Sequence, residues 1–289
     1  MADVQTFERY RPLLFSIAYR MLGSAMEAED IVQEAYLRYE QAQDIYSVKA
    51  YLTTIVTHLC LDHLKSASTQ RENYVGTWLP EPVLTGESPG AIADKHESIA
   101  MAFLVLLENL TPVERAVLLL RDVFDYSYAE IAPMVGKSKA NCRRYYRRAK
   151  QFLVERQPRF EPTSAEQNKL VESFLQAVAA GDIESLTHML VEDATFFGDG
   201  GGKAPAVRQA LVGRDAVIRF LLLGVYRLLP ADVHIEIAEI NGTPSVLFWG
   251  PDNFYFVMNL TIINNQITTI RNIVNPDKLV YIHRQHKAR

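Results

Sequence analysis

The residues best equipped for chemistry in this chain are cations. KSKANCRRYYRRAKQF, residues 137–152, holds Lys137, Lys139, Arg143, Arg144, Arg147, Arg148 and Lys150 and no acid, although the chain as a whole has a formal net charge of −4. A helix charged in this way suits a polyanion. It fits the major groove of DNA, where arginine forks onto guanine or grips phosphate. On the order of six phosphate contacts would make binding fall roughly a thousandfold over a modest rise in salt. Residues near the start of such a helix reach base edges, which nominates Lys139, Asn141, Arg143 and Arg144. Arg147, Arg148 and Lys150 are placed for the backbone. The alternative is a solvated basic face, or one that docks an acidic partner.

Carboxylates form the second group. Asp30 and Glu34, in AEDIVQEAYLRY, lie one helical turn apart and share a face that Gln33 and Leu37 extend. A catalytic acid pair needs a cleft and a partner, and the neighbouring sequence supplies neither. The pattern suits a solvated face or a docking face for a basic partner. Asp199, Asp232, His188, His234 and Tyr255 are further candidate acids and bases, but no set of them converges by spacing. The expectation is no catalytic residue, no metal and no cofactor. Cys60 and Cys142 are the only cysteines, too few for a disulfide framework or a cysteine zinc site. Cys142 lies among cations that would lower its pKa, against the plainer reading of a packed thiol.

The elements that must position these groups fall into three segments. The first, about 4–66, reads as helix throughout. Ile31, Val32, Ala35, Tyr36 and Tyr39 recur at helical spacing, and SVKAYLTTIVTHLCLDHLKSA follows with Ser47 as cap and Leu52, Ile55, Val56, Leu59 and Leu64 inward. Pro80, Pro82, Gly86, Pro89 and Gly90 then mark a linker. The second segment, about 95–156, carries two capping boxes, Thr111 with Glu114 and Ser127 with Glu130, and a stop at Gly136. A short capped helix, a tight turn and a basic helix make a helix-turn-helix. Pro133 should bend the shorter helix. Pro158 and Pro162 mark a second linker, after which Ser164 and Gln167 open a new helix.

The third segment changes period. Helices are expected at 165–180, 182–190 and 213–229, with a short strand ATFF between the second and third. VHIEIAEI then alternates, with Val233, Ile235 and Ile237 on one face and His234 and Glu236 on the other. Asn241-Gly242 and Asn264-Asn265 signal hairpin turns between strands VLFWG, FYFVMNLTII and QITTIRNIV. This is an α+β domain ending in an antiparallel meander. DGGGK (199–203) gives positive-φ freedom beside a lysine, as a contact loop or as a plain glycine-rich turn. WLPEP (78–82) holds Trp78 and Leu79 semi-rigidly between prolines and is suited to docking on the added domain. Asn275-Pro276-Asp277 suggests a turn, with Leu279, Val280, Tyr281 and Ile282 anchoring the tail.

In order and spacing, AEDIVQEAYLRY (28–39), AYLTTIVTHLCLDHLKS (50–66) and LTPVERAVLLLRDVFDYSYAEIAPMVGKSKANCRRYYRRAK (110–150) resemble the bacterial RNA polymerase sigma factors of the extracytoplasmic-function group. The resemblance implies that Asp30, Gln33, Glu34 and Leu37 face polymerase core. It implies that Tyr51, Thr54, His58, Asp62 and Lys65 face the opened −10 element, and that Lys139, Asn141, Arg143, Arg144, Arg147 and Arg148 face the −35 element. His58 and Lys65 stand where members often carry Asn and Arg. The last 125 residues or so resemble a SnoaL-like cone. WLPEP (Trp78, Leu79, Pro80, Glu81, Pro82), DGGGK (Asp199, Gly200, Gly201, Gly202, Lys203) and NPDKL (Asn275, Pro276, Asp277, Lys278, Leu279) resemble the motifs of a subgroup that carries this cone in place of a separate anti-sigma protein.

The expected architecture is therefore two all-α sigma domains, the second a helix-turn-helix, followed by an α+β SnoaL-like cone with an antiparallel sheet. The boundaries are 1–68 for core and −10 binding, 69–94 for the linker with WLPEP, 95–156 for −35 binding and 164–289 for the regulatory cone. The implied function is to direct core polymerase to promoters under control of the cone in cis. The implied partners are core polymerase and promoter DNA, with a small ligand of the cone as a further candidate. Neither a separate anti-sigma factor nor a membrane is required, and the expected location is the cytoplasm, since no apolar run approaches a bilayer span and the N-terminus lacks signal-peptide order. The alternatives are a DNA-binding regulator that works without polymerase, and a SnoaL-type pocket enzyme or ligand sensor with a DNA-binding appendage.

Overall fold

A computed structural model describes residues 3–72, 74–85, 100–156, 165–225, 232–251 and 254–289. The chain forms two compact units: Met1–Asn73 with Phe103–Gln157, and Tyr74–Ala102 with Pro158–Arg289. The linker expected at 69–94 is thus divided. Its first residues continue a helix to Glu72, and from Tyr74 the chain belongs to the second unit.

In the helical unit α1 (Val4–Leu22) begins where the Asp3 carboxylate accepts from the Gln5 amide at 3.0 Å. It ends at Gly23, whose φ of 69° leaves the helical region. Ser24 caps α2 (Ala25–Glu40), and α3 (Val48–Glu72) follows. After α4 (Met101–Leu107), capping boxes at Thr111/Glu114 and Ser127/Glu130 open α5 (Pro112–Asp122) and α6 (Tyr128–Met134), as their spacing predicts. Gly136, at φ 62°, turns the chain into α7 (Lys139–Arg156).

The inward stripe of α3 is broader than expected. Leu52, Val56 and Leu64 are buried, but so are Thr53, Thr57, Cys60 and Leu61, whereas Ile55 and Leu59 are only half-buried. The reason is a second covering element. The Thr53 and Tyr126 hydroxyls bond at 3.0 Å, and the Thr57 hydroxyl returns to the Thr53 carbonyl at 2.7 Å. From α5, the buried Arg115 donates to the Met21 carbonyl at the end of α1 and to Glu108 at 2.7 Å. The two helix groups therefore share one core.

The α+β unit contains α8 (Ala165–Ala180), α9 (Ile183–Met189), β1 (Leu190–Asp199), β2 (Leu211–Val212) and α10 (Arg214–Phe220), which runs on as a π-helical turn to Val225. Then come β3 (His234–Ile240), β4 (Thr243–Trp249), β5 (Phe254–Ile263), β6 (Gln266–Ile273) and α11 (Pro276–Lys287). The α+β class expected from the sequence is present, with both hairpin turns at positive φ (Asn241 52°, Asn264 50°). The linker residues 86–94, the Ser164 cap and the end of the helix expected to reach 229 lie outside the described residues.

Three expectations are corrected. The strand ATFF is the centre of a ten-residue β1, and it runs parallel to β6 in a sheet of order β2-β1-β6-β5-β4-β3. The sheet is therefore mixed rather than wholly antiparallel, while β3 to β6 form the expected antiparallel meander. NPDKL is not a turn. Asn275 caps α11, with its side chain accepting from the Asp277 amide at 3.2 Å and Pro276 in the first turn. Ile235, expected inward, is 48% exposed on the edge strand, while Val233 and Ile237 pack on the core. That core joins Val171, Phe174, Leu186 and Val217 of the helices to Phe196, Phe248, Met258 and Ile270 of the sheet.

Candidate functional site

On α7 the cations face outward: Lys139, Arg143, Arg144, Arg147 and Arg148 are exposed and Asn141 is half-buried. The helix starts at Ser138, whose hydroxyl accepts from the Asn141 amide at 3.2 Å. Two cations of its second half are tied back to the helical unit, Arg148 to Glu114 at 3.1 Å and Lys150 to Asp122 at 2.7 Å. The Arg143 guanidinium lies 5.7 Å from the Tyr128 ring. Cys142 is fully buried between these cations, and burial raises its thiol pKa. This reverses the lowering expected from charge, because the Cβ points inward while the guanidinium groups extend to solvent.

On α3, Tyr51, Thr54, His58, Asp62 and Lys65 recur every three or four residues on one face. Tyr51 and Thr54 are half-buried, His58, Asp62 and Lys65 exposed, and Asp62 pairs with Lys65 at 2.8 Å. Just before α3, Tyr46 is fully exposed in the loop from α2, a residue that its unpatterned sequence surroundings did not mark. On α2, Asp30, Gln33 and Leu37 are exposed, and Glu34 is half-buried and bonded to Arg38 at 2.8 Å.

The three short motifs meet in the α+β unit. Asp199 ends β1 with no solvent exposure. Its Oδ1 accepts from the Tyr74 hydroxyl at 2.5 Å. Its Oδ2 accepts from the Leu79 amide and the Lys278 ammonium, each at 2.7 Å. Lys278 also donates to the Leu79 carbonyl and lies 4.1 Å over the Trp78 ring and 5.0 Å over the Tyr74 ring. A buried ammonium is tolerated here because a carboxylate, a carbonyl and two π faces replace its water. The Tyr74 phenol is driven well above its usual pKa, first by burial and then by its bond to Asp199. Asn275 Nδ2 donates to the Tyr74 oxygen at 3.0 Å.

The loop needs its glycines: a Cβ at Gly200 would lie 2.2 Å from the Ala204 carbonyl oxygen, and Gly202 has a φ of 73°. At Gly201, φ is 57°, and a Cβ would lie 2.2 Å from Asn275 Nδ2 and 2.9 Å from the Tyr74 hydroxyl. Lys203 of the same loop pairs with Asp277. Leu79, Pro80, Glu81 and Pro82 are buried and Trp78 half-buried, so residues 74–85 form a strap lying on the sheet. Its far end is held by a second clamp. Val83 and Asn241 exchange bonds at 3.2 and 2.9 Å, the Leu84 amide donates to Gln285 Oε1 at 2.9 Å, and the Thr85 hydroxyl donates to Glu239 at 2.8 Å.

Of the five candidate acids and bases, Tyr255 is half-buried on β5. Asp199 is fully engaged by the strap and α11, while His188, Asp232 and His234 are exposed. Among the described residues no group of three or more His, Cys, Asp or Glu could hold a metal ion, and no helix is long and apolar enough to cross a membrane.

Comparison with known proteins places these features. Residues 6–70 match the family model for Sigma-70 region 2, and residues 100–153 match the model for Sigma-70, region 4. The chain is 38% identical over 291 residues to the ECF RNA polymerase sigma factor SigJ of Mycobacterium tuberculosis, covering 96% of this chain and 93% of the relative. It is 28% identical to SigG of the same organism, over 84% of this chain and 72% of that one. The crystal structure of Mycobacterium tuberculosis SigJ superposes with a TM-score of 0.77 at 36% identity, covering 96% of this chain and 98% of the other.

Proposed function

The chain belongs to the ECF RNA polymerase sigma factors, and on that premise we propose that its α+β unit controls promoter recognition in cis by holding the strap between the two sigma regions. As a sigma factor it directs bacterial RNA polymerase to promoters and starts transcription. In our reading, Asp30, Gln33, Glu34 and Leu37 dock on polymerase core. Tyr51, Thr54, His58, Asp62 and Lys65 hold the opened −10 element by stacking and charge. Lys139, Asn141, Arg143 and Arg144 read the −35 element while Arg147 and Arg148 grip its phosphates. Residues 164–289 regulate in the cytoplasm without catalysis and without a separate anti-sigma factor.

The observation that carries this reading is the Asp199 site. The segment joining the two DNA-reading regions is bonded into the appended unit through Tyr74, Leu79 and Lys278. Glu72 ends α3, and two residues later the Tyr74 hydroxyl is already held there. Docking restrains the sigma regions, and release frees them to span a two-part promoter. Transcription by purified core polymerase with the full chain and its Lys278→Met variant tests this. The variant should yield more transcript at equal core occupancy. Equal yield would remove the restraint, and transcript independent of added chain would remove the sigma reading altogether.

A further inference from the structure

The second strap clamp depends on Gln285, and the next residue along α11 belongs to a cluster of three histidines. His286 Nε2 lies 2.9 Å from Glu236 Oε2 on β3, and Arg289 reaches the other oxygen of that carboxylate at 3.3 Å. The His286 ring meets Trp249 at 5.1 Å and Phe254 at 5.2 Å. Phe254 also meets His283 edge-on at 5.4 Å, and His234 stacks on Trp249 at 4.5 Å. Trp249 Nε1 and His283 Nδ1 are buried with no hydrogen-bond partner among the described residues. Three imidazoles therefore share one aromatic wedge between α11 and the β3–β5 edge of the sheet. The charged groups around it are Glu236 from β3 and Arg284, Lys287 and Arg289 from the C-terminal helix and tail; Asp252, between β4 and β5, lies outside the described residues.

We propose that this cluster is a proton-sensitive catch for the strap: when His283 takes up a proton, α11 loosens and the Leu84–Gln285 clamp opens. The charge balance supports this. Glu236 is the one acid named in the cluster, and it already faces Arg289 as well as His286. Added positive charge on His283 would arrive beside His286 and Lys287, with no carboxylate of its own among the described residues. Burial, and then Lys287 and His286, hold the His283 pKa below the usual histidine value. The sign follows. A base whose pKa is depressed in the docked form is neutral there, while the undocked form binds the proton more readily. Docking is therefore fully stable above the ordinary histidine pKa and weakens as pH falls through it, down to the depressed value.

The inference rests on the proposed regulation only for its consequence, since the catch itself is a property of the α+β unit. Hydrogen exchange of the Leu84 amide tests it in the full chain, at about pH 7.5 and about pH 5.5 after correction for the intrinsic exchange rate. Protection of Leu84 should fall severalfold at the lower pH, and the His283→Gln/His286→Gln variant should show no such fall. No fall in the native chain, or the same fall in the variant, would overturn the proposal. If the variant does not fold, NMR titration of His283 in the native chain decides instead. A midpoint equal to that in urea contradicts the catch, and a lower midpoint supports it. Run-off transcription measured in parallel separates the two ideas. Loss of Leu84 protection without any change in transcript leaves the catch intact and defeats regulation through the strap.

Discussion

Lys278 and Asp199 form an ion pair of 2.7 Å whose side chains are 8% and 0% exposed, and their side-chain bonds to Leu79 tie the strap to β1 and α11. Such a pair adds little stability over an apolar pair of the same volume, because desolvating both charges offsets their attraction. Its effect is to specify where the strap lies. Leu79 can use its amide and its carbonyl together only at this one register.

Breaking the pair from one side should cost far more than replacing both partners. Lys278→Met leaves the carboxylate buried with two donors and no counter-charge, and is expected to lower unfolding stability by about 3–5 kcal/mol. Lys278→Met with Asp199→Leu should recover part of that loss. Urea denaturation midpoints of the two variants compare them directly.

Gly201→Ala should undo the docking without touching a charge. The added methyl meets Asn275 and the Tyr74 hydroxyl, and alanine at positive φ costs about 1–3 kcal/mol by itself. Exchange of the Leu79 amide should accelerate by at least roughly tenfold, the equivalent of about 1.4 kcal/mol. An unchanged rate would mean that the loop moves aside.

The roles proposed for the basic helix can be separated. Arg147→Ala should weaken binding uniformly across promoter sequences and reduce the salt-dependence slope by about one. Arg143→Ala, near the helix start, should relax preference within the −35 element at a cost of about 1–3 kcal/mol. Binding by polymerase holoenzyme to a panel of −35 variants at several salt concentrations distinguishes them.

Much of the fold is legible because it is local. Both capping boxes and both Asn-containing hairpin turns announce themselves within four residues. Asn275, Pro276 and Asp277 were equally local, and their order is that of a helix N-terminus as well as a turn, so the signal for α11 was present and misread. The Asp199 site has no local signature. Its members come from positions 74, 79, 199 and 278, and only the parallel pairing of β1 with β6 brings the end of one strand beside the start of α11. The wider buried face of α3 escaped for a similar reason. Threonine reads as polar, and Thr53 is buried because Tyr126, 73 positions away, supplies its partner.

Thiol chemistry offers a further check. Cys60 and Cys142 are both fully buried, and burial drives both thiols upward in pKa. The native chain should react with an aromatic disulfide reagent at neutral pH only as fast as it unfolds. Rapid modification of Cys142 would show that α7 opens locally.

Trimming the chain after residue 210 keeps Asp199 but discards Asn241, Lys278 and Gln285, and so both clamps. Transcription should rise with this fragment if the appended unit restrains the sigma regions, and should vanish when residues 199–203 are removed as well if that loop is itself needed for activity. Equal activity of the full chain and both fragments would show that the appended unit has no part in control.

The Leu79 carbonyl waits for an ammonium 199 positions further along the chain. On the ribosome, both promoter-reading regions are therefore complete long before the residue that seats the strap has been translated. Until Lys278 clears the exit tunnel, the nascent polypeptide carries an apolar ribbon without its ammonium and, under the proposed regulation, two sigma regions with no restraint.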